Sequence, residues 1–229
     1  MPRSVLVIAA HPDDEILGCG GAVARHISLG DDVNIVIVAQ GALSRYPTTF
    51  TAAAKPELDK LALSAKNAAS CLGVQNVELL DYPDNRLDSI DRLDVIQTLE
   101  SKIQQYLPHT IYTHHIGDLN VDHRRIHEAV LTAARPLPGS SIKLILAFEV
   151  MSSTEWNSPS STSHFIPNYF IDISEFIELK TKALLCYDSE MRPWPHARSV
   201  QAVQHLAHLR GAQIGCNAAE AFQLIRQIS

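Results

Sequence analysis

The strongest constraint on this chain lies in its first fifteen residues. Val5-Leu6-Val7-Ile8-Ala9-Ala10 is a short apolar run rich in β-branched residues, and His11-Pro12-Asp13-Asp14-Glu15 follows it directly. Such a run reads as a strand buried on both faces, the kind found in parallel sheets covered by helices. Ile16-Leu17 then opens a helix. Ligands of open α/β sheets bind beyond the carboxyl ends of the strands, so the polar cluster stands where a site is expected. His11 offers an imidazole nitrogen, and Asp13 and Asp14 offer carboxylate oxygens, the usual donors to zinc. Adjacent carboxylates repel, so their pairing asks for a cation or for one raised pKa. Pro12 stiffens the turn that carries them. The competing reading is that the aspartates cap the next helix, where acidic side chains suit the first turn. Capping needs neither His11 nor a second aspartate, which favours metal binding or catalysis.

Strands and helices then alternate. A helix is expected over 16–29, closed by Gly30, with Gly18, Gly20 and Gly21 inside it. Glycines there weaken helix propensity and are expected where the backbone approaches another backbone or a ligand closely. Neither G-x-G-x-x-G nor a Walker pattern is present, so nucleotide binding is disfavoured. Residues 32–39 read as a second strand. The polar loop 40–51 follows it as a candidate substrate lid. Arg45 in that loop is a candidate contact for an anionic substrate group, against the alternative of a solvated surface arginine. A helix over 56–72, a strand over 77–80, a helix over 89–106 and a strand over 110–113 continue the pattern. The junction 82–87 places Arg86 as a candidate substrate contact and Asp84 as a supporting group, although a plain turn explains the same residues.

A second polar cluster follows the strand over 110–113: His114-His115-Ile116-Gly117-Asp118-Leu119-Asn120-Val121-Asp122-His123. Asp118, Asn120 and Asp122 imitate the opening of a calcium loop, but His123 stands where such a loop needs Gly and Ala129 where it needs Glu. Calcium is therefore rejected. His123 and His127 form H-x-x-x-H, but Arg124 occupies the position that a metalloprotease gives to Glu. Beyond Arg135-Pro136 a strand is expected over 144–150, a Ser/Thr-rich loop over 152–163 and an extended piece over 165–173. A helix over 176–187 and an irregular link over 191–199 follow, and helices over 200–210 and 218–228 complete the chain. In the link, Trp194, His196 and Arg198 are candidates to reach a ligand, against the plainer reading of a surface connection.

Charge and cysteine usage exclude some classes. A net charge of −6 with no Lys/Arg run argues against a nucleic-acid surface. Four scattered cysteines with no C-x-x-C pair give neither a disulfide framework nor a thiolate zinc site. No apolar stretch approaches the roughly 18 residues that span a bilayer. A cytoplasmic protein with no membrane span is the expectation.

Ala10-His11-Pro12-Asp13-Asp14-Glu15, with Gly18-Cys19-Gly20-Gly21 after it, resembles the AHPDDE signature of the PIG-L/LmbE-like zinc-dependent de-N-acetylases. Asn120-Val121-Asp122-His123 resembles that family's second motif, HPDH. The resemblance spans roughly residues 4–135. It implies a Rossmann-like α/β three-layer sandwich with a mostly parallel sheet, formed as one LmbE-like domain over residues 1–229. It implies hydrolysis of the N-acetyl amide of a GlcNAc-type amino sugar or its conjugate. His11, Asp14 and His123 are then the metal ligands for one Zn2+ per chain, or Fe2+, and Asp13 is the general base. Asp122 would orient its neighbours. Asn120 stands where the family has a histidine; asparagine donates a hydrogen bond to an oxyanion but delivers no proton. Either Asp13 makes both proton transfers, or His114, His115 or His196 substitutes. Arg45, Arg86, His115 and His196 are the expected substrate contacts. The family also allows a homo-oligomer. The rival readings are a different amide or ester substrate at the same metal, a non-catalytic sugar-binding protein, and a nucleotide-binding module.

Overall fold

The computed structural model describes residues 2–46, 53–158 and 164–229. The far end of the expected lid loop, 47–52, and the end of the Ser/Thr-rich loop, 159–163, lie outside the described residues. Elements follow in the order β1 (Ser4–Ala9), α1 (Asp14–Ser28), β2 (Asp32–Ala39), α2 (Lys55–Leu72), β3 (Asn76–Tyr82), α3 (Arg92–Tyr106), β4 (Thr110–His114), α4 (Val121–Ala133), β5 (Leu144–Phe148), β6 (Tyr169–Asp172), α5 (Ile177–Leu185), α6 (Val200–Ile214) and β7 (Ala219–Gln227). They form a seven-stranded sheet in the order β3-β2-β1-β4-β5-β7-β6. The strands β1 to β5 are parallel to one another, and β7 runs antiparallel to both β5 and β6.

Alternation along each strand builds the two outer layers. Val5 and Val7 of β1 face one core with Ile16, Val23, Ala65, Ile177 and Val203, from α1, α2, α5 and α6. Leu6 and Ile8 face the other, with Val95, Leu99, Ile126 and Val130 from α3 and α4. Helix-covered faces explain why β1 reads as an unbroken apolar run rather than an alternating one. The strand order reverses between β1 and β4, so the loops after these two strands diverge and leave a crevice at their carboxyl ends. The two polar clusters of the sequence lie in those two loops. No helix among the described residues is long and apolar enough to cross a membrane.

Two expectations are corrected. Residues 218–228 are not a helix: Ala219–Gln227 is the strand β7. Its Ala, Glu, Gln and Leu favour a helix by less than about 1 kcal/mol each. That preference yields to ladder pairing on both edges and to Phe222, buried with its ring 5.3 Å from Tyr112. The glycines of α1 are the second. They approach packed side chains, not a ligand: a Cβ on Gly18 would lie 2.3 Å from Phe148 and one on Gly21 2.7 Å from Ile173. α1 also breaks at Cys19 (φ −147°). Glu220 caps its second half, accepting from the N–H groups of Gly21 and Ala22 at 2.8 and 2.7 Å. Lys180 neutralises Glu220 from 2.6 Å. Phe148 packs edge-on against His114, which stacks on His123. Gly18→Ala is therefore expected to cost about 1–3 kcal/mol in urea unfolding through overpacking. A loss below about 0.5 kcal/mol, the size of an ordinary surface substitution, would mean that Phe148 has room to move.

Candidate active site

The loop after β1 puts His11, Asp13 and Asp14 at the crevice, and the start of α4 brings His123 to them. Three atoms converge: His11 Nδ1, Asp14 Oδ2 and His123 Nε2. Their separations are 3.2 Å (His11–Asp14), 3.1 Å (His123–Asp14) and 3.3 Å (His11–His123). Tetrahedral bonds of roughly 2.0–2.1 Å to zinc place neighbouring donors about 3.3 Å apart, so this triangle has the edges of one tetrahedral face. Asp14 is fully buried and its Oδ1 has no hydrogen-bond partner, an arrangement that a cation would balance. The far side of each imidazole meets a carboxylate. His11 Nε2 lies 3.0 Å from Asp122 Oδ2, and His123 Nδ1 lies 3.1 Å from Asp118 Oδ1. Carboxylates so placed fix the ring orientation and tautomer of metal-binding histidines. Two nitrogens and one carboxylate oxygen fit zinc, and they fit iron(II) as well.

Asp13 is the first helical residue's N-cap by position, yet its side chain makes no capping bond. The capping explanation of the aspartate pair therefore fails for this residue. Its φ is 108°, left-handed and strained for a residue with a side chain. The Glu15 side chain holds it there: Asp13 N–H donates to Glu15 Oε2 at 3.1 Å, and Tyr187 OH donates to Glu15 Oε1 at 2.5 Å. The Asp13 carboxylate receives Arg198 Nη1 at 2.8 Å. Burial raises the Asp13 carboxyl to about 7; Arg198 opposes the rise and Asp14 adds to it. Burial also raises Glu15, to about 8.

Around these groups His11, Asp13, Ser44, Arg45, Asp84, Asn85, Asn120, Glu190 and Arg198 line a polar pocket of about 100 Å³. Asn120 caps α4, its Oδ1 accepting from Asp122 N–H at 2.8 Å, while its Nδ2 donates to Asn85 Oδ1 at 3.0 Å. Asp122 is buried and accepts from the N–H groups of Asn85 and Leu87 at 2.7 and 2.9 Å. It thereby ties the loop after β3 to His11. Arg45 stands in the wall between Glu57 and Glu190, with one Nη group on each carboxylate.

The remaining expected contacts lie elsewhere. Arg86 is exposed and outside the pocket lining. His115 is buried with Nδ1 2.7 Å from Gln223 Oε1, beneath Phe165. His196 is exposed beside Trp156, and its Nδ1 accepts from Arg198 N–H at 3.0 Å. His114 is buried too, and its Nε2 accepts from Ala10 N–H at 2.8 Å. Burial and the neighbouring His123 hold His114 well below the usual imidazole range. None of these three histidines lines the pocket, so a proton donor in place of the family's motif histidine is not found among them. Arg198, Glu190 and Asp118 are the residues that the sequence underplayed. Asp118 is held by Ser153 and Thr154, and by Asn120 N–H at 2.8 Å. Against burial, His123 first, and then the hydroxyls of Ser153 and Thr154, keep the Asp118 carboxyl down at about 2.

Comparisons with known proteins agree with this architecture. The Escherichia coli K12 protein named uncharacterized deacetylase YaiS is 29% identical over 188 residues, covering 80% of this chain and 89% of that one. Diacetylchitobiose deacetylase of Thermococcus kodakarensis is 26% identical over 203 residues, 82% of this chain and 70% of its own. GalB, the 4-carboxy-2-hydroxymuconate hydratase of Pseudomonas putida KT2440, shares the fold with a TM-score of 0.77 at 21% identity, covering 99% of this chain and 98% of that one. Residues 6–134, more than half of the 229 and including both polar clusters, match the family described as PIG-L, GlcNAc-PI de-N-acetylase. The chain belongs to the PIG-L family.

Proposed function

We propose that this protein hydrolyses the N-acetyl amide of a GlcNAc-type amino sugar or its conjugate, releasing acetate and the free amine. The observation that supports it most is the donor triangle of His11, Asp14 and His123 with a separate buried carboxylate, Asp13, beside it in a polar pocket. Zinc is the metal assigned to the triangle, with iron(II) as the alternative. When bound there, the cation supplies a Lewis acid that polarises the amide carbonyl and makes water more acidic.

The chain's own residues carry the protons. Asp13 takes one from the attacking water as the new C–O bond forms and the carbonyl π pair moves onto oxygen. Its raised pKa suits this task, since a base works best with a pKa near the working pH. As the tetrahedral species collapses, the C–N bond breaks and the amine nitrogen takes that proton back from Asp13. No second proton donor is invoked, because Asn120 delivers none, His11 is assigned to the metal, and His114, His115 and His196 do not line the pocket. Ser44, Asn85 and Asn120 offer hydrogen-bonding groups to sugar hydroxyls.

The GalB likeness keeps a second reading in view, in which the same crevice adds water to another acceptor. The family match and the relatives named as deacetylases favour the amide. The test is direct. Purified protein with its metal content measured is given N-acetylglucosamine, N,N′-diacetylchitobiose and an N-acetylglucosaminyl inositol, and acetate and free amine are quantified. One metal per chain with equimolar acetate and amine is the expected result. Metal without either product on any of these amides would overturn the reading.

A further inference from the structure

We infer that Arg198 is a catalytic residue of this site: it fixes the carboxylate of Asp13 and turns a free guanidinium N–H toward the oxygen that gains charge in the tetrahedral species. The inference rests on the deacetylase reading above and adds a group to it.

Arg198 comes from the irregular segment between α5 and α6, 185 residues away from Asp13 in the chain. Several anchors hold it. Its Nε donates to Ser152 Oγ at 2.6 Å, its backbone N–H to His196 Nδ1 at 3.0 Å, and its carbonyl accepts from Arg192 N–H at 3.1 Å. Nη1 donates to Asp13 Oδ2 at 2.8 Å, with Glu190 Oε2 at 3.5 Å. Nη2 has no acceptor among the described residues, although the side chain is only 24% exposed. A guanidinium so locked leaves its unspent donors at a fixed place on the pocket wall. Donors fixed beforehand cost no reorganisation when charge develops, which is how an oxyanion is stabilised most effectively.

The rest of the pocket wall makes this placement matter. Asn120 has given one of its two Nδ2 hydrogens to Asn85 and is neutral, and Arg45 has given both Nη groups to Glu57 and Glu190. Arg198 is thus the cation in contact with the proposed base whose Nη2 has no acceptor among the described residues. Guanidinium keeps its proton at any working pH, so it stabilises charge and transfers nothing. Every proton in the reaction therefore passes through Asp13: from water to Asp13 as the C–O bond forms, and from Asp13 to nitrogen as the C–N bond breaks. The division of labour is complete, with one group moving protons and another meeting negative charge.

The experiment uses Arg198→Met and Arg198→Lys in the full, metal-loaded chain. Turnover of the best amide is compared with metal content, thermal melting and the Kd of methylphosphonate, a tetrahedral anion. In R198M, kcat is expected to fall about 10²–10³-fold, the loss seen when an oxyanion donor is removed, with KM changed only a few-fold. Methylphosphonate is expected to bind at least about tenfold more weakly in R198M, the size of one charge-assisted hydrogen bond, and added guanidinium to restore part of kcat. R198K is expected to recover little, because one ammonium cannot both hold Asp13 and present a second donor. If R198M does not fold, R198K decides: a large loss in kcat with unchanged melting supports the inference, and near-parental kcat overturns it. Near-parental kcat and methylphosphonate binding in R198M with metal bound would likewise overturn it. If the parent binds metal but releases no acetate from any amide, the deacetylase reading fails, and the oxyanion role of Arg198 falls with it.

Discussion

Asp13→Asn is expected to lower kcat by about 10³-fold, within the 10²–10⁴ range of a lost general base, while the metal stays bound. Asparagine is the informative choice for two reasons. It is nearly the same size, so the pocket keeps its shape. It also tolerates left-handed backbone better than alanine, and Asp13 sits at φ 108°. The substitution leaves an amide that takes no proton from water, so the step fails for a chemical reason rather than a structural one. Arg198 keeps Ser152 and Glu190 as partners, and His11, Asp14 and His123 are untouched. Stability is expected to rise or hold, because a buried carboxylate that costs free energy to ionise has been removed. Turnover within about tenfold of the parent, with metal content unchanged, would place the base elsewhere. Metal loss in the variant would show instead that Asp13 helps to hold the cation. These two failures have different signatures and are separated by measuring metal content on the same sample.

How legible this site is from the residues depends on how local each part of it is. His11, Asp13 and Asp14 are contiguous and follow an apolar strand, so their convergence needs only one turn. His123 is reached through a second strand-to-helix junction, and the reversal of strand order between β1 and β4 brings the two junctions together. The first loop is readable because β1 is a continuous apolar run, and the second because Thr110-Ile111-Tyr112-Thr113 is a short run of strand-favouring residues. Arg198 is not readable in this way. Its partners are Ser152 and Asp13, from two separate loops, and its own segment has no periodicity to orient it. Asp118 was legible only as a failed calcium ligand; its role appears once Ser153 and Thr154 close over it. The strand β7 is hidden for a different reason. Its residues prefer helix locally, and only the open edge of β5 and the buried place for Phe222 make it extended. The glycines of α1 carried a true signal of close approach, but the identity of what approaches, Phe148 and Ile173, is a tertiary fact.

The second large effect is expected in metal affinity as a function of pH. Without a cation the donor triangle holds a proton. Burial alone would lower the His123 pKa, but Asp14 and Asp118 outweigh it and raise the imidazole from 6.5 to about 9. His11 is also raised, since the carboxylates of Asp122, Asp14 and Asp84 outweigh its burial. His11 Nδ1 and His123 Nε2 lie 3.3 Å apart, so a proton on either nitrogen points into the space between them. A cation must displace that proton to reach both nitrogens. The apparent association constant is therefore expected to rise about tenfold per pH unit from roughly 6.5 to 9 and to level off above it. Stability moves in the opposite sense in the chelated protein. A histidine raised from 6.5 to about 9 contributes stability that is fully present below 6.5 and lost as pH rises through 9, on the order of 3 kcal/mol in all. The melting temperatures of loaded and chelated protein should therefore diverge across this window, the chelated form losing stability while the loaded form, whose imidazoles carry no proton at the cation, holds steady. Competition with a chelator of known affinity, alongside melting of both forms, measures the two slopes on one preparation. A metal affinity flat between pH 6.5 and 9 would mean that no proton leaves these imidazoles on binding, and the cation would then have to sit on other residues.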